Sequence, residues 1–126
     1  MIYGNKCCFI NEANMALKND FNELKLDGIN TSVYVYNGEG PIPHFHLINS
    51  KGEACIKITS AEQFNHNNKQ KMLLNSKEAK DLNTWLCYKS GNNKNNNWKF
   101  ILLKWNELNP MYKITGNIKM PDYSKL

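Results

Sequence analysis

The strongest constraint on the fold is an alternation that runs through Phe45, Leu47, Ala54, Ile56 and Ile58, broken in the middle by Asn49-Ser50-Lys51-Gly52, a stretch of turn-forming residues. Side chains two apart on an extended strand share a face. A hairpin closing on that turn pairs Leu47 with Ala54, His46 with Cys55, Phe45 with Ile56 and His44 with Lys57. The apolar residues then line one surface and His44, His46, Cys55 and Lys57 the other, and a slip of one residue would scramble both. Thr31 to Tyr36 is a further alternating stretch, rich in β-branched and aromatic residues, and Asn37-Gly38-Glu39-Gly40-Pro41 is a turn by composition. Folding that hairpin the same way sets Tyr34 and Tyr36 beside the histidines and Val33 and Val35 in the core. The pattern predicts an antiparallel meander of three strands or more, apolar on one side only.

An apolar sheet face needs a cover. Downstream, Ala79, Leu82, Trp85 and Leu86 fall at helical spacing after Ser76, read as an N-cap with Glu78 in the first turn; Trp98, Ile101, Leu102, Trp105 and Leu108 do the same until Asn109-Pro110. The loop between them is the asparagine-rich tract Asn92 to Asn97. The expected architecture is α+β, an antiparallel sheet covered on one face by a C-terminal helical pair. Residues 1–126 are read as one domain, with 31–109 as its sheet and helical core and 110–126 as a tail that wraps the surface through Tyr112, Ile114 and Tyr123. Before the meander, Ile2 to Ile10 reads as a strand or extended arm. Glu12 to Leu26 reads as helical, stopped by Asp27-Gly28, and Asn65 to Lys71 as irregular and polar.

Composition narrows the function classes. No uninterrupted apolar run is longer than that of Phe100 to Leu103, far short of the roughly 20 residues that cross a bilayer, and the N-terminus lacks the pattern of an export signal. No C-x-x-C pair joins Cys7, Cys8, Cys55 and Cys87, so reduced thiols and a cytoplasmic location are expected, with no membrane partner. The net charge is +5, and all 16 basic residues are lysine. Without arginine there is no planar fork for bidentate recognition of phosphate or guanine, so any nucleic-acid contact would be made to the backbone by point charges. Lysine and asparagine codons are AT-rich, which suggests a low-GC bacterium or its phage.

The chemistry concentrates in Pro43-His44-Phe45-His46. With the following strand Ala54 to Ile58 and the helix ending in Trp105-Asn106-Glu107-Leu108, this motif resembles the uncharacterised bacterial and phage family catalogued as domain of unknown function 4160, over roughly Val33 to Leu108. The resemblance implies a small cytoplasmic accessory protein of phage or mobile-element origin, of the kind found near toxin-antitoxin genes.

From the residues themselves come several functional expectations. The first is a binding face, formed by Tyr34, Tyr36, His44, His46 and Lys57, for a host protein, a nucleotide or nucleic acid; Tyr-His surfaces stack on bases and anchor interfaces. Next is a metal-independent nuclease or phosphodiesterase of toxin type, with His44 and His46 as acid and base, Lys57 or Tyr34 stabilising the phosphorane, and Glu39 in the adjacent turn. Another is a divalent metal held by His44 and His46. Gly38 to His46 satisfies Gly-x5-His-x-His, half of a first cupin motif, but the glutamate falls late, at Glu53, and a second histidine would have to be His66. Against all of these stands the reading of both rings as amphipathic residues packed beside tyrosines. Non-catalytic binding, with no resident cofactor, is the leading expectation.

Overall fold

The alternating stretches form strands in the register that their side chains demand. The computed structural model describes residues 23–64, 72–89 and 95–126, together with the backbone of Cys7–Phe9. A five-stranded antiparallel sheet runs in the order β1 (Cys7–Phe9), β4 (Ser32–Tyr36), β5 (His44–Asn49), β6 (Gly52–Lys57) and β7 (Gln63–Phe64). Strands β2 (Lys25–Leu26) and β3 (Ile29–Asn30) make a separate two-stranded hairpin. The β5–β6 pairing sets Leu47 opposite Ala54, His46 opposite Cys55, Phe45 opposite Ile56 and His44 opposite Lys57. The β4–β5 pairing sets Tyr34 opposite His46 and Val33 opposite Leu47.

Val33, Val35, Phe45, Leu47, Ala54, Ile56 and Ile58 are all buried on one side of this sheet. They pack with Leu82, Trp85 and Leu86 of α1 (Ser76–Cys87) and Trp98, Ile101, Leu102 and Trp105 of α2 (Asn97–Leu108). The α+β architecture with a helical pair on one face is therefore the observed one. Burial of a large apolar side chain stabilises a fold by about 1.5–3 kcal/mol, so this interface supplies the force that holds the layers together.

The helix starts differ slightly from expectation. The cap of α1 is Asn75 rather than Ser76: its side chain accepts the Glu78 N–H at 2.8 Å, and the Glu78 carboxylate accepts the Asn75 N–H at 2.9 Å. That reciprocal box satisfies two amides that the first turn leaves open. Glu78 is fully buried, and the Lys51 ammonium reaches it at 2.8 Å. Asn96 caps α2 through one such bond, its side chain accepting the Lys99 N–H at 2.8 Å.

Where the described residues overlap the helix expected over Glu12 to Leu26, they are not helical. Lys25–Leu26 is a strand that folds back on Ile29–Asn30, because Asp27 and Gly28 take up φ 50° and 82°, the left-handed conformation a tight turn requires. Leu24 and Leu26 are both buried, a spacing of two rather than of three or four. Glu12 to Asn22, Ile2 to Lys6, Ile10, and the 65–71 segment with His66 lie outside the described residues.

The tail does more than wrap a surface. Tyr123 is fully buried; its N–H donates to the Asn83 side chain at 2.8 Å, and its hydroxyl lies 2.8 Å from the carbonyls of both Lys57 and Ile58. Burial pushes its phenol up from the usual tyrosine range, opposed by a hydrogen bond with Trp98. Ile114 and Ile118 also pack against the core. Among the described residues no helix is long and apolar enough to cross a membrane.

Candidate metal centre

His44 and His46 stand two apart on β5, so the pleat aims both rings at the side of the sheet opposite the core residues Phe45 and Leu47. That side is not open. His44 is 1% and His46 4% exposed, which corrects the expectation of an accessible imidazole face. The physical reason lies in the β4–β5 loop: it folds back over the strand it precedes and brings Glu39, itself 8% exposed, onto both rings. Oε1 of Glu39 lies 2.8 Å from Nε2 of His44 and 2.6 Å from Nε2 of His46. The His44 ring also packs against Phe64 and Trp105, with centroids 5.1 and 5.5 Å away, and the edge of Tyr36 meets His46 at 4.8 Å.

The loop is held in place from the far end of the chain. Gly38, at φ 71°, turns it. The Glu39 N–H donates to Oδ1 of Asn109 at 3.1 Å, and Nδ2 of Asn109 donates to the Tyr36 carbonyl at 2.9 Å. The ring of Tyr112 lies where a Cβ on Gly40 would project. Asn109, read from the sequence only as a helix terminus, is thus the buried fastener of a loop that carries a site carboxylate.

The outward nitrogens decide the protonation of the rings. Nδ1 of His44 is 2.7 Å from the Ile42 carbonyl, and a carbonyl only accepts, so that nitrogen carries a proton. Nδ1 of His46 is 2.6 Å from Oε2 of Glu53, and an ionised carboxylate likewise only accepts. Both Nε2 atoms of the neutral rings therefore turn lone pairs toward one carboxylate oxygen. Such an arrangement calls for positive charge between the atoms, which one divalent cation supplies. Without a cation the His46 imidazole is pushed up from 6.5 to about 10: burial is the largest influence and opposes the charge, but hydrogen bonds and charge from Cys55 and Glu39 together outweigh it.

Glu39, His44 and His46 meet the requirements of a cation site in chemistry as well as in place. Their ligand atoms all lie within 4.8 Å of one another. Two imidazoles and a carboxylate suit zinc and the other first-row divalent ions, with room in the coordination shell for a further ligand. Zinc bonds of about 2.0–2.2 Å would spread the three atoms by roughly half an ångström from their metal-free spacing. The outer acceptors, Ile42 carbonyl and Glu53 carboxylate, are the kind that fix a ligating histidine's tautomer.

The other residues singled out from the sequence lie around this cluster. Tyr34 and Tyr36 are half-buried and stack on each other with centroids 5.8 Å apart. Lys57 sits opposite His44 as its register demands, but its ammonium pairs with Glu62 at 2.9 Å and lies over the Phe64 ring. Cys55 joins the cluster, its Sγ 3.5 Å from Nδ1 of His46. Glu53, two residues before Cys55 on β6, faces the same way, so the register that placed Cys55 beside the histidines carried the signal for Glu53 as well. No protein-family model matches the chain, and neither does any curated protein or solved structure.

Proposed function

We propose that this is a divalent-metal protein, in which Glu39, His44 and His46 hold one first-row transition ion that fastens the β4–β5 loop to the sheet. One observation carries the reading: each imidazole commits its Nδ1 proton to an outer acceptor, so both Nε2 atoms converge on a single buried carboxylate oxygen. One divalent ion balances the two carboxylates of Glu39 and Glu53, which suits a site shielded from water.

Burial also weighs among the alternatives. A binding face for a host protein, nucleotide or nucleic acid would need rings that a partner can touch, and these are 1% and 4% exposed. A metal-free phosphodiesterase would need His44 and His46 to act independently on a substrate, whereas both are bonded to the same oxygen and Lys57 is paired with Glu62.

The test is equilibrium dialysis of untagged, chelator-stripped protein against zinc, followed by elemental analysis. At least one equivalent is expected to be retained by the wild type, and Glu39→Gln and His44→Ala should each retain at least one fewer. Wild-type protein that retains none, or variants that match it, would overturn the reading.

A further inference from the structure

Nδ1 of His46 is approached by two groups at once, Oε2 of Glu53 at 2.6 Å and Sγ of Cys55 at 3.5 Å. One ring nitrogen carries one proton, which a carboxylate and a thiol cannot both receive in full. A cation in the proton's place serves all three, and these ligand atoms too lie within 4.8 Å of one another. The placement is built into the sheet: His46 and Cys55 are directly paired across β5 and β6, and Glu53 is two residues from Cys55 on the same face. Cys55 is 4% exposed and makes no disulfide.

We propose that His46, Glu53 and Cys55 form a second cation position that shares the His46 ring with the first, so that the loaded centre holds two ions on opposite edges of one imidazole. This rests on the proposed first site, whose ion takes Nε2. As the second ion enters, the Nδ1 proton and the Cys55 thiol proton leave to solvent. The ring becomes an imidazolate bridging two ions about 6 Å apart, from two metal–nitrogen bonds of about 2 Å and the width of the ring. The charges close: four positive charges on two divalent ions meet those of Glu39, Glu53, the thiolate and the imidazolate. A site removed from water needs that neutrality in each loading state, and the single-ion state has it as well, with the ion set against Glu39 and Glu53.

The two positions differ in softness. Two nitrogens and an oxygen accept any first-row divalent ion, whereas thiolate, carboxylate and imidazolate favour thiophilic ions such as zinc and cobalt(II) over magnesium, calcium or manganese. Filling is ordered because an ion on Nε2 withdraws charge from the ring and so lets its remaining proton leave Nδ1.

Cobalt(II) titration of stripped protein tests the arrangement, because a thiolate ligand gives a charge-transfer band in the near ultraviolet. Wild type is expected to bind two equivalents, with the band growing only over the second. A variant with Cys7, Cys8 and Cys87 changed to serine should keep the band, and Cys55→Ala should bind one equivalent without it. A wild type that stops at one equivalent with no band overturns the second position and leaves the first standing. One equivalent that carries the band from the start overturns the two-ion centre by placing the single ion on Cys55. No binding at all overturns this proposal together with the site on which it rests.

Discussion

Asn109, the residue after α2, accepts the backbone N–H of Glu39 at 3.1 Å across 70 residues of sequence, and so sets the height of the carboxylate above the two histidines. Its side-chain amide also donates to the Tyr36 carbonyl at 2.9 Å, at the start of the same loop. The helix layer and the polar face of the sheet meet at this buried side chain, as they do where Trp105 packs on His44.

Replacing Asn109 by alanine leaves the Glu39 N–H and the Tyr36 carbonyl without that partner. The expected cost is about 1–3 kcal/mol of stability, read from urea unfolding of the metal-free protein. Zinc affinity should fall by about 10- to 100-fold, as it does when an outer support of a ligand is removed. The ratio is informative: a purely structural asparagine would lower stability and leave zinc competition against a chromophoric chelator unchanged.

Gly40 is the second restraint on Glu39. A methyl group there runs into the Tyr112 ring near its attachment to the backbone, where the side chain has little freedom to swing aside. Gly40→Ala should therefore displace the loop, lower the melting temperature at a cost of about 1–3 kcal/mol, and weaken zinc binding with it. Tyr112→Ala opens the space, and it keeps the Tyr112 carbonyl that accepts the Trp105 indole at 2.9 Å. The double variant should recover most of the zinc affinity lost by Gly40→Ala alone, and absence of recovery would place the fault elsewhere in the loop.

The sheet was legible because its signal is local and periodic: Phe45, Leu47, Ala54 and Ile56 admit only one register once a turn at Asn49-Ser50-Lys51-Gly52 is granted. The helical pair was legible for the same reason, through Leu82, Trp85, Trp98 and Trp105. The Asn75 cap was missed by one residue, since asparagine and serine are nearly equal caps and only the observed bond to Glu78 separates them. The closing of the site was the real loss. Glu39 could be placed in a turn beside His44, but whether that turn lies over the sheet or away from it depends on Asn109 and Tyr112, whose contacts have no periodicity to read. Lys57 was placed correctly on its strand, yet Glu62, which claims its ammonium, sits in the next loop.

Removal of metal should make stability depend on pH through His46. A group whose folded pKa lies above its unfolded value stabilises the fold fully below the unfolded value, and that contribution is lost as pH rises through the folded one. For His46 the window runs from 6.5 to about 10. Chelator-stripped protein should therefore melt at progressively lower temperature as pH rises across that interval. His46→Gln, which cannot titrate, should show a shallower decline. Equal slopes in the two proteins would mean that the imidazolium is not the group responsible.

Tyr123 tests whether the tail belongs to the core. Its ring is fully buried and meets Phe45 on the opposite side of β5 from the histidines, with centroids 6.5 Å apart. Its hydroxyl reaches the carbonyls of Lys57 and Ile58, where β6 ends, and the Trp98 indole donates to the same Ile58 carbonyl at 2.9 Å. Tyr123→Phe keeps the ring and leaves Ile58 its Trp98 bond, so the loss should be near the net worth of one hydrogen bond, about 0.5–1.5 kcal/mol. Tyr123→Ala removes the ring as well and should cost about 3–5 kcal/mol, the range for deleting a large aromatic from a core. Urea unfolding of both variants separates the two contributions. A tail that only lay on the surface would give both substitutions the same small effect, and zinc stoichiometry should be untouched by Tyr123→Phe because the ring stands on the face of the sheet that carries no ligand.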